Sequence, residues 1–172
     1  MMKWIGAVII LLSCGFAGRI FAGALARRVN LLQQLERGFA ALSTEISFSV
    51  TALPLALKQS GRQCGGEMQA LFLRAGERFS DLQGIPAEMI WQQTVDEVTK
   101  DSVLLQEDRD VLYDFGLGLG LSDKNDQLKK LELLLQKLRS REQDARTNKE
   151  KMSKVWQALG WSVGAMLVLL FI

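Results

Sequence analysis

The side chains that most often carry out chemistry in proteins are scarce in this chain. Histidine, the commonest general base and metal ligand, is absent from the 172 residues, and there are two cysteines, Cys14 and Cys64. Cys64 lies in a glycine-rich stretch with no evident base to activate it, so no nucleophilic role is predicted. Cys14 lies in a remote apolar stretch, so no disulfide is predicted either. The sequence does not indicate an enzyme.

One group of acidic residues has a spacing that could recruit a divalent cation: Glu107, Asp108, Asp110 and Asp114. Acidic residues are also expected in the first turn of a helix, because they complement the positive end of the helix dipole. We prefer a solvated helix face, and we predict no metal or other cofactor.

Three alternating glycines follow this acidic group, in Gly116-Leu-Gly118-Leu-Gly120. They resemble a phosphate-binding loop only in composition, since the Lys and Ser/Thr of a P-loop are missing and no predicted strand precedes them. We interpret the glycines as the end of a helix, and we predict no small-molecule substrate.

The net charge of +2 conceals an uneven distribution of charge along the chain. Residues 79–123 carry two basic and ten acidic side chains, a net charge of −8, whereas residues 124–154 carry ten basic and five acidic ones, a net charge of +5. The acidic segment could face the basic helix within the domain. It could instead bind a basic partner, and a partner surface is then predicted at Glu107, Asp108, Asp110 and Asp114. The basic helix has no interleaved aromatic residues, so nucleic-acid binding is not predicted.

The spacing of apolar residues predicts helices along the whole chain. Heptad spacing continues from Leu32 to Ile46 and returns from Leu128 to Leu138, and we expect these two seams to pack against each other. Between them the sequence predicts four shorter helices. These are Leu53 to Gln59, a helix presenting Met68 to Phe79, one that starts at Pro86, and one that starts near Gln106. Ser122 and Asp123 are predicted to cap the last helix. The predicted fold is all-α, an antiparallel bundle of about six helices.

Both ends of the chain are apolar. Residues 1–26 and 155–172 are predicted to be transmembrane helices around a soluble domain at 27–154, and the last helix is expected to continue from the bundle into the membrane. Gly160 and Gly164 form a G-x-x-x-G pair that permits close helix packing, and Gly18 and Ala22 offer a similar small face on the first span.

Basic residues flank the inner ends of both apolar segments, which predicts a cytoplasmic domain with both termini outside. An alternative starts from Leu11-Leu12-Ser13-Cys14, which approaches a lipoprotein cleavage site. In that case the protein would be an extracytoplasmic binding protein anchored by a lipid on Cys14.

Several motifs together resemble the stage III sporulation protein AB family. The most specific is Leu119-Gly-Leu-Ser-Asp123, followed by Gln127 and by a Lys-rich helix that runs into Leu159-Gly160. The N-terminal Lys3-Trp-Ile-Gly-Ala-Val8 and the segment Thr51-Ala-Leu-Pro-Leu55 fit as well, except that Ala52 stands where the family usually has proline. The resemblance covers essentially the whole chain.

This resemblance implies a membrane scaffold, or platform, of the export channel that joins mother cell and forespore during endospore formation. It implies a location in the mother-cell membrane around the forespore and a soluble domain similar to the F domain of type II secretion and type IV pilus platform proteins. The implied partners are the stage III sporulation ATPase and the membrane and ring-forming components of the same complex. Association between copies of the chain is a further expectation.

Overall fold

The computed structural model describes the backbone of residues 2–48, 51–81, 84–117, 119 and 124–171. It describes the side chains of residues 23–48, 51–81, 84–117, 119, 124–152 and 155. In this part of the chain there are six α-helices and no β-strand, which confirms the prediction of an all-α fold. The helices are α1 (Met2–Phe48), α2 (Leu53–Cys64), α3 (Gln69–Ser80), α4 (Ala87–Thr99), α5 (Gln106–Gly116) and α6 (Lys124–Phe171).

The chain divides into two compact units. The first comprises Met1–Arg27 and Asp144–Ile172, and the second comprises Arg28–Gln143, which we call the bundle domain. Among the residues that the structure describes, no helix combines the length and the apolar character needed to cross a membrane. The predicted packing residues Gly18, Ala22, Gly160 and Gly164 lie outside the described side chains.

Within the bundle domain, α1 and α6 run antiparallel. Gln33 Nε2 donates to Glu142 Oε1 at 2.8 Å, and Arg139 Nε donates to Glu36 Oε1 at 2.7 Å. Farther along, Lys124 Nζ donates to the carbonyl oxygen of Ser47 at 2.9 Å. As the residue number rises on one helix it falls on the other, so these hydrogen bonds show that the two helices pair, as expected.

The seam of α1 matches its heptad pattern, but the seam of α6 differs from the prediction. Leu32, Leu35, Phe39 and Leu42 are fully buried on α1. On α6 the buried residues are Leu131, Leu134 and Leu138, whereas Leu128 and Leu135 are only partly buried. The run of three leucines at 133–135 allowed two registers, and packing against the rest of the bundle selects Leu134 for the interior.

Helix α2 is longer than predicted, because it continues through Ser60 and Gly61 to Cys64. Gly61 does not end the helix. Its lack of a side chain lets α3 approach, since a Cβ at this position would lie 3.0 Å from Phe72 Cβ. The helix instead ends at Gly65, whose φ of 65° is in the left-handed region that favours glycine.

Four aromatic side chains form the centre of the bundle domain. Phe39 on α1 packs edge-to-face against Phe72, Trp91 and Phe115, with ring centroids 4.9, 6.0 and 5.1 Å away. Trp91 also donates its indole N–H to the carbonyl oxygen of Leu112 at 2.7 Å, so its buried polar atom is satisfied. We call Phe39, Phe72, Trp91 and Phe115 the aromatic cluster; it joins α1, α3, α4 and α5.

Candidate functional site

The acidic helix α5 begins as predicted at Gln106, and Asp108 fixes its first turn. Asp108 Oδ2 accepts a hydrogen bond from the backbone N–H of Leu105 at 3.0 Å. This satisfies one of the backbone donors that the start of a helix leaves without an intrahelical partner. A carboxylate here also lies at the positive end of the helix dipole. Asp108 therefore stabilises the start of α5, which agrees with the expectation for an acidic first turn.

Asp108 also makes a buried ion pair. Its side chain has no solvent-exposed area, and it accepts two parallel hydrogen bonds from Arg28 of α1, at 2.8 and 2.9 Å. Arg141 of α6 donates from Nε to the same carboxylate at 3.1 Å. One carboxylate thus joins α1, α5 and α6. We call Arg28, Asp108 and Arg141 the Asp108 cluster.

The protonation states in this cluster follow from its contacts. Burial alone would raise the pKa of Asp108, but the hydrogen bonds from Arg28, the Leu105 amide and Arg141 outweigh it, so the net pKa is lowered. Hydrogen bonding to Glu107 and Asp108 raises the pKa of Arg141. Asp108 is therefore ionised at neutral pH, and its carboxylate is not poised to exchange a proton with a substrate.

The four acidic residues predicted to form a partner surface do not share one environment. Glu107, Asp110 and Asp114 are exposed, whereas Asp108 is fully buried. This corrects the surface prediction for Asp108, because a side chain enclosed by two arginines cannot be reached by a partner.

The exposed acidic residues also have contacts within the domain. Glu107 pairs with Arg141, and Asp114 Oδ2 accepts from Lys137 Nζ at 2.7 Å. Asp110 accepts a hydrogen bond from Gln106 at 2.9 Å. The acidic α5 thus faces the basic α6 inside the bundle domain. This contact favours the intramolecular explanation of the uneven charge, and it leaves Asp110 as the residue of the four with no cationic partner among the described residues.

Among the side chains that the structure describes, the remaining polar groups were compared with metal sites and activated nucleophiles. Among the described residues, no group of three or more acidic or cysteine side chains could hold a metal ion. Cys64 is buried and donates from Sγ to the carbonyl oxygen of Gln34 at 3.0 Å, and burial raises its pKa to about 11. Burial and a hydrogen bond to Asp96 raise the pKa of Tyr113 to about 12. Both groups are protonated at neutral pH, so neither is an activated nucleophile.

The structure describes only part of the motif from Leu119 to Asp123 and Gln127 on which the family resemblance depends. Leu119 is buried, and Gln127 lines a small apolar cleft together with Leu119, Phe115 and Leu131. These two residues therefore belong to the packing between the end of α5 and the start of α6. Gly120, Ser122 and Asp123 lie outside the described residues, so the predicted cap of α6 remains a prediction.

The structure also shows a groove that the sequence did not single out. It lies between the end of α5 and the middle of α6 and has a volume of about 250 Å³. Leu117 and Leu133 are 49% and 58% exposed at its edges. We call it the α5–α6 groove; it is lined by Val111, Asp114, Phe115, Leu117, Lys130, Leu133, Leu134 and Lys137. In the sequence, Leu133 comes soon after Lys129 and Lys130. A leucine among charged residues could have indicated that its side chain is exposed.

Comparison with known proteins gives a consistent result. The family model described as stage III sporulation protein AB matches residues 3–172. A protein named stage III sporulation protein AB from Bacillus subtilis (strain 168) is 29% identical over 170 residues, covering 99% of each chain. A solved structure of a stage III sporulation protein AB has a TM-score of 0.66 at 26% identity, covering 73% of this chain and 98% of its own.

Proposed function

The chain belongs to the stage III sporulation protein AB family, and we propose that it is a non-enzymatic platform subunit of a membrane export channel used in sporulation. In this role it would couple a cytoplasmic ATPase to the membrane components of the channel. The absence of an activated nucleophile, general base or metal cluster among the described residues is compatible with such a role.

The observation that carries the proposal is the antiparallel pairing of α1 and α6 within the bundle domain. The domain begins at Arg28 and ends at Gln143. Arg28 and Arg141 both bind the carboxylate of Asp108. The chain therefore enters and leaves the domain at the same end. This supports a platform whose two apolar segments, 1–26 and 155–172, anchor it in one membrane.

The proposed topology places the bundle domain in the mother-cell cytoplasm and both termini outside, following the bias of basic residues toward the cytoplasmic side. A direct test is protease protection of an epitope inserted in the bundle domain, for example in the loop between α2 and α3, in intact and lysed protoplasts of sporulating cells. Protection in intact protoplasts, with digestion after lysis, is expected. Digestion in intact protoplasts would overturn the topology.

A second experiment separates the platform from the lipid-anchored alternative. Helix α1 runs from Met2 to Phe48 without a break at Cys14, which supports an uncleaved N-terminal segment. Mass spectrometry of the mature protein is expected to show residues 1–13 still attached. A mature N-terminus at a lipid-modified Cys14 would replace the platform proposal with an extracytoplasmic binding protein.

We further propose that the exposed part of the acidic segment, which includes Asp110, contacts a basic surface of the ATPase. Electrostatic complementarity of this kind raises the association rate and fixes orientation. The test is co-purification of the ATPase with full-length chain carrying Asp110→Lys. The matched control is Glu132→Lys, the same charge change at an exposed position of α6.

Asp110→Lys is expected to reduce the amount of ATPase that co-purifies, and Glu132→Lys is expected to leave it unchanged. Equal recovery with both variants and with the unmodified chain would contradict the surface assignment. It would leave the proposed topology unaffected. Asp108→Lys is unsuitable for this test, because it would place a third cation between Arg28 and Arg141.

A further inference from the structure

Two apolar features of the bundle domain remain exposed, and the charged residues near them differ in sign. One is the concave α5–α6 groove. The other is at the start of α4, where Ile85 and Met89 are 43% and 49% exposed, and we call it the Ile85/Met89 patch. Large apolar side chains that remain exposed beside one another often mark contact sites. The bundle domain leaves both features uncovered.

The charges around these features are opposite in sign. Leu133 in the groove lies one helical turn from Lys129, Lys130 and Lys137 on the exposed side of α6. Lys130 and Lys137 each have a contact within the domain, to the carbonyl oxygen of Leu117 and to Asp114. Lys129 has no ion pair among the described residues.

Beside the Ile85/Met89 patch lies Glu88, which likewise pairs with no cation in the described part of the chain. The patch and the α5 side of the groove belong to the acidic segment 79–123, whereas the α6 side of the groove, which Lys129 adjoins, belongs to the basic segment 124–154. Charge complementarity therefore favours contact between the patch and the groove.

The patch cannot reach the groove of its own chain. Helix α4 is held in place by Trp91, which is fully buried against Phe39 and Phe115 and donates a hydrogen bond to Leu112 of α5. The groove lies where α5 meets α6, as the pair between Asp114 and Lys137 shows. Helix α5 thus has α4 on one side and the groove on another. A patch that fills the groove must come from a second copy.

We propose that copies of this chain associate head-to-tail, with the Ile85/Met89 patch of one copy seated in the α5–α6 groove of the next. The contact is heterologous, because different surfaces of the two copies meet, and such contacts build rings or open assemblies instead of closed symmetric pairs. A groove of about 250 Å³ accepts a few side chains and is small for a typical small-molecule site. The contact is between copies and does not depend on binding of an ATPase.

The test uses two full-length variants purified in detergent and mixed, each with Cys14→Ser. One carries Gln93→Cys, one turn after Met89, and the other carries Gln136→Cys, three residues after Leu133. Both positions are exposed. Cys64 is retained because it is buried. After addition of a short bismaleimide crosslinker, dimers are expected in the mixture and not in either variant alone. A mixture of Gln136→Cys with Arg62→Cys, an exposed position on α2, is the control.

Two further variants test the physical basis of the contact. Leu133→Asp in the groove chain is expected to reduce crosslinking to the level of the control mixture, and its exposure makes the substitution tolerable for folding. Glu88→Lys in the patch chain is expected to weaken crosslinking, and Lys129→Glu in the groove chain to restore it. Restoration by the second charge reversal would not occur if either change only damaged the fold.

Three results would overturn the proposal. Crosslinking no stronger than in the control mixture would show that the two surfaces do not meet. Dimers formed equally by each variant alone would indicate a symmetric contact. In sporulating cells, linkage of Gln136→Cys to a different protein, with none between copies, would assign the groove to that protein.

Discussion

The Asp108 cluster and the aromatic cluster both join α1 to α5, one through charges and the other through apolar rings. Arg28 and Phe39 are both on α1, eleven residues or about three turns apart, so they lie on the same side of that helix. Asp108 and Phe115 are both on α5, seven residues or about two turns apart. At one level these two helices meet through a buried ion pair, and at the other through aromatic rings 5.1 Å apart.

The two clusters differ in how they respond to a change. An apolar contact depends on area and shape, so neighbouring side chains can compensate for part of a loss. A buried ion pair depends on the presence of both partners, because either one alone is a charge removed from water with nothing to balance it. The Asp108 cluster lies where the chain enters and leaves the bundle domain. Loss of either partner there is therefore expected to be more disruptive than loss of an apolar contact of similar size.

The largest effect is expected from Asp108→Ala, which leaves Arg28 buried without a partner. Breaking a buried ion pair by removing one member typically costs about 3–5 kcal/mol. The loss of a hydrogen-bond acceptor at the start of α5 adds to this. Urea unfolding of the full chain, followed by far-UV circular dichroism, measures the change. Asp110→Ala, an exposed position on the same helix, is the control and should change the stability by less than ~0.5 kcal/mol. Equal effects of the two substitutions would contradict the assignment of Asp108 to the interior.

The aromatic cluster is tested by adding volume to it with Gly38→Ala. A Cβ at Gly38 would lie 2.5 Å from Phe72 Cζ, and that ring is fully buried. Overpacking typically lowers the free energy of unfolding by about 1–3 kcal/mol, and the better helix propensity of alanine offsets about 1 kcal/mol of this loss. A net destabilisation of up to about 2 kcal/mol is expected in the same urea experiment. Ser140→Ala, on the exposed side of α6, is the control. An increase in stability with Gly38→Ala would show that the core has room there.

The pH dependence of stability should distinguish the two clusters. The folded-state pKa of Asp108 is lowered, so its contribution is fully present above the unfolded pKa of about 3.9 and is lost as the pH falls through the lower folded value. The stability difference between the unmodified chain and Asp108→Asn should therefore shrink progressively as the pH falls below about 5. The difference caused by Gly38→Ala should stay constant, because no group in the aromatic cluster titrates there. Parallel profiles for both variants would contradict the role of the Asp108 charge.

The two clusters also differ in how far the sequence could predict them. The burial of Leu35, Phe39 and Leu42 follows from heptad spacing, because local periodicity reports which side of a helix faces the core. The pairing of Arg28 with Asp108 joins residues 80 positions apart, and no local pattern reports a partner at that distance. Asp108 and Asp110 look equivalent in the sequence, and only the packing of α5 against α1 and α6 makes one buried and the other exposed.

The glycines show a second limit of sequence reasoning. The predicted second helix ended at Gln59, yet α2 continues through Gly61, where α3 approaches closely. A glycine can end a helix, or it can lie inside a helix and let another helix approach closely. Which of these occurs depends on a neighbouring helix that the local sequence does not specify. Gly116 both ends a helix and permits a close approach. It is the last residue of α5, and a Cβ there would lie 2.5 Å from Trp91 Cδ1.

The smallest effect is expected from the exposed pair of Asp114 and Lys137, which joins the same two helices as Asp108 and Arg141. Its members are 55% and 53% exposed and 2.7 Å apart. Exposed pairs typically contribute about 0.2–1 kcal/mol, because water and salt screen the attraction. A double-mutant cycle of Asp114→Ala and Lys137→Ala should give a coupling energy in this range that falls as salt is added. A coupling as large as the loss expected for Asp108→Ala would mean that α5 and α6 are joined as firmly at the surface as in the interior. In that case burial would not be what distinguishes the Asp108 cluster.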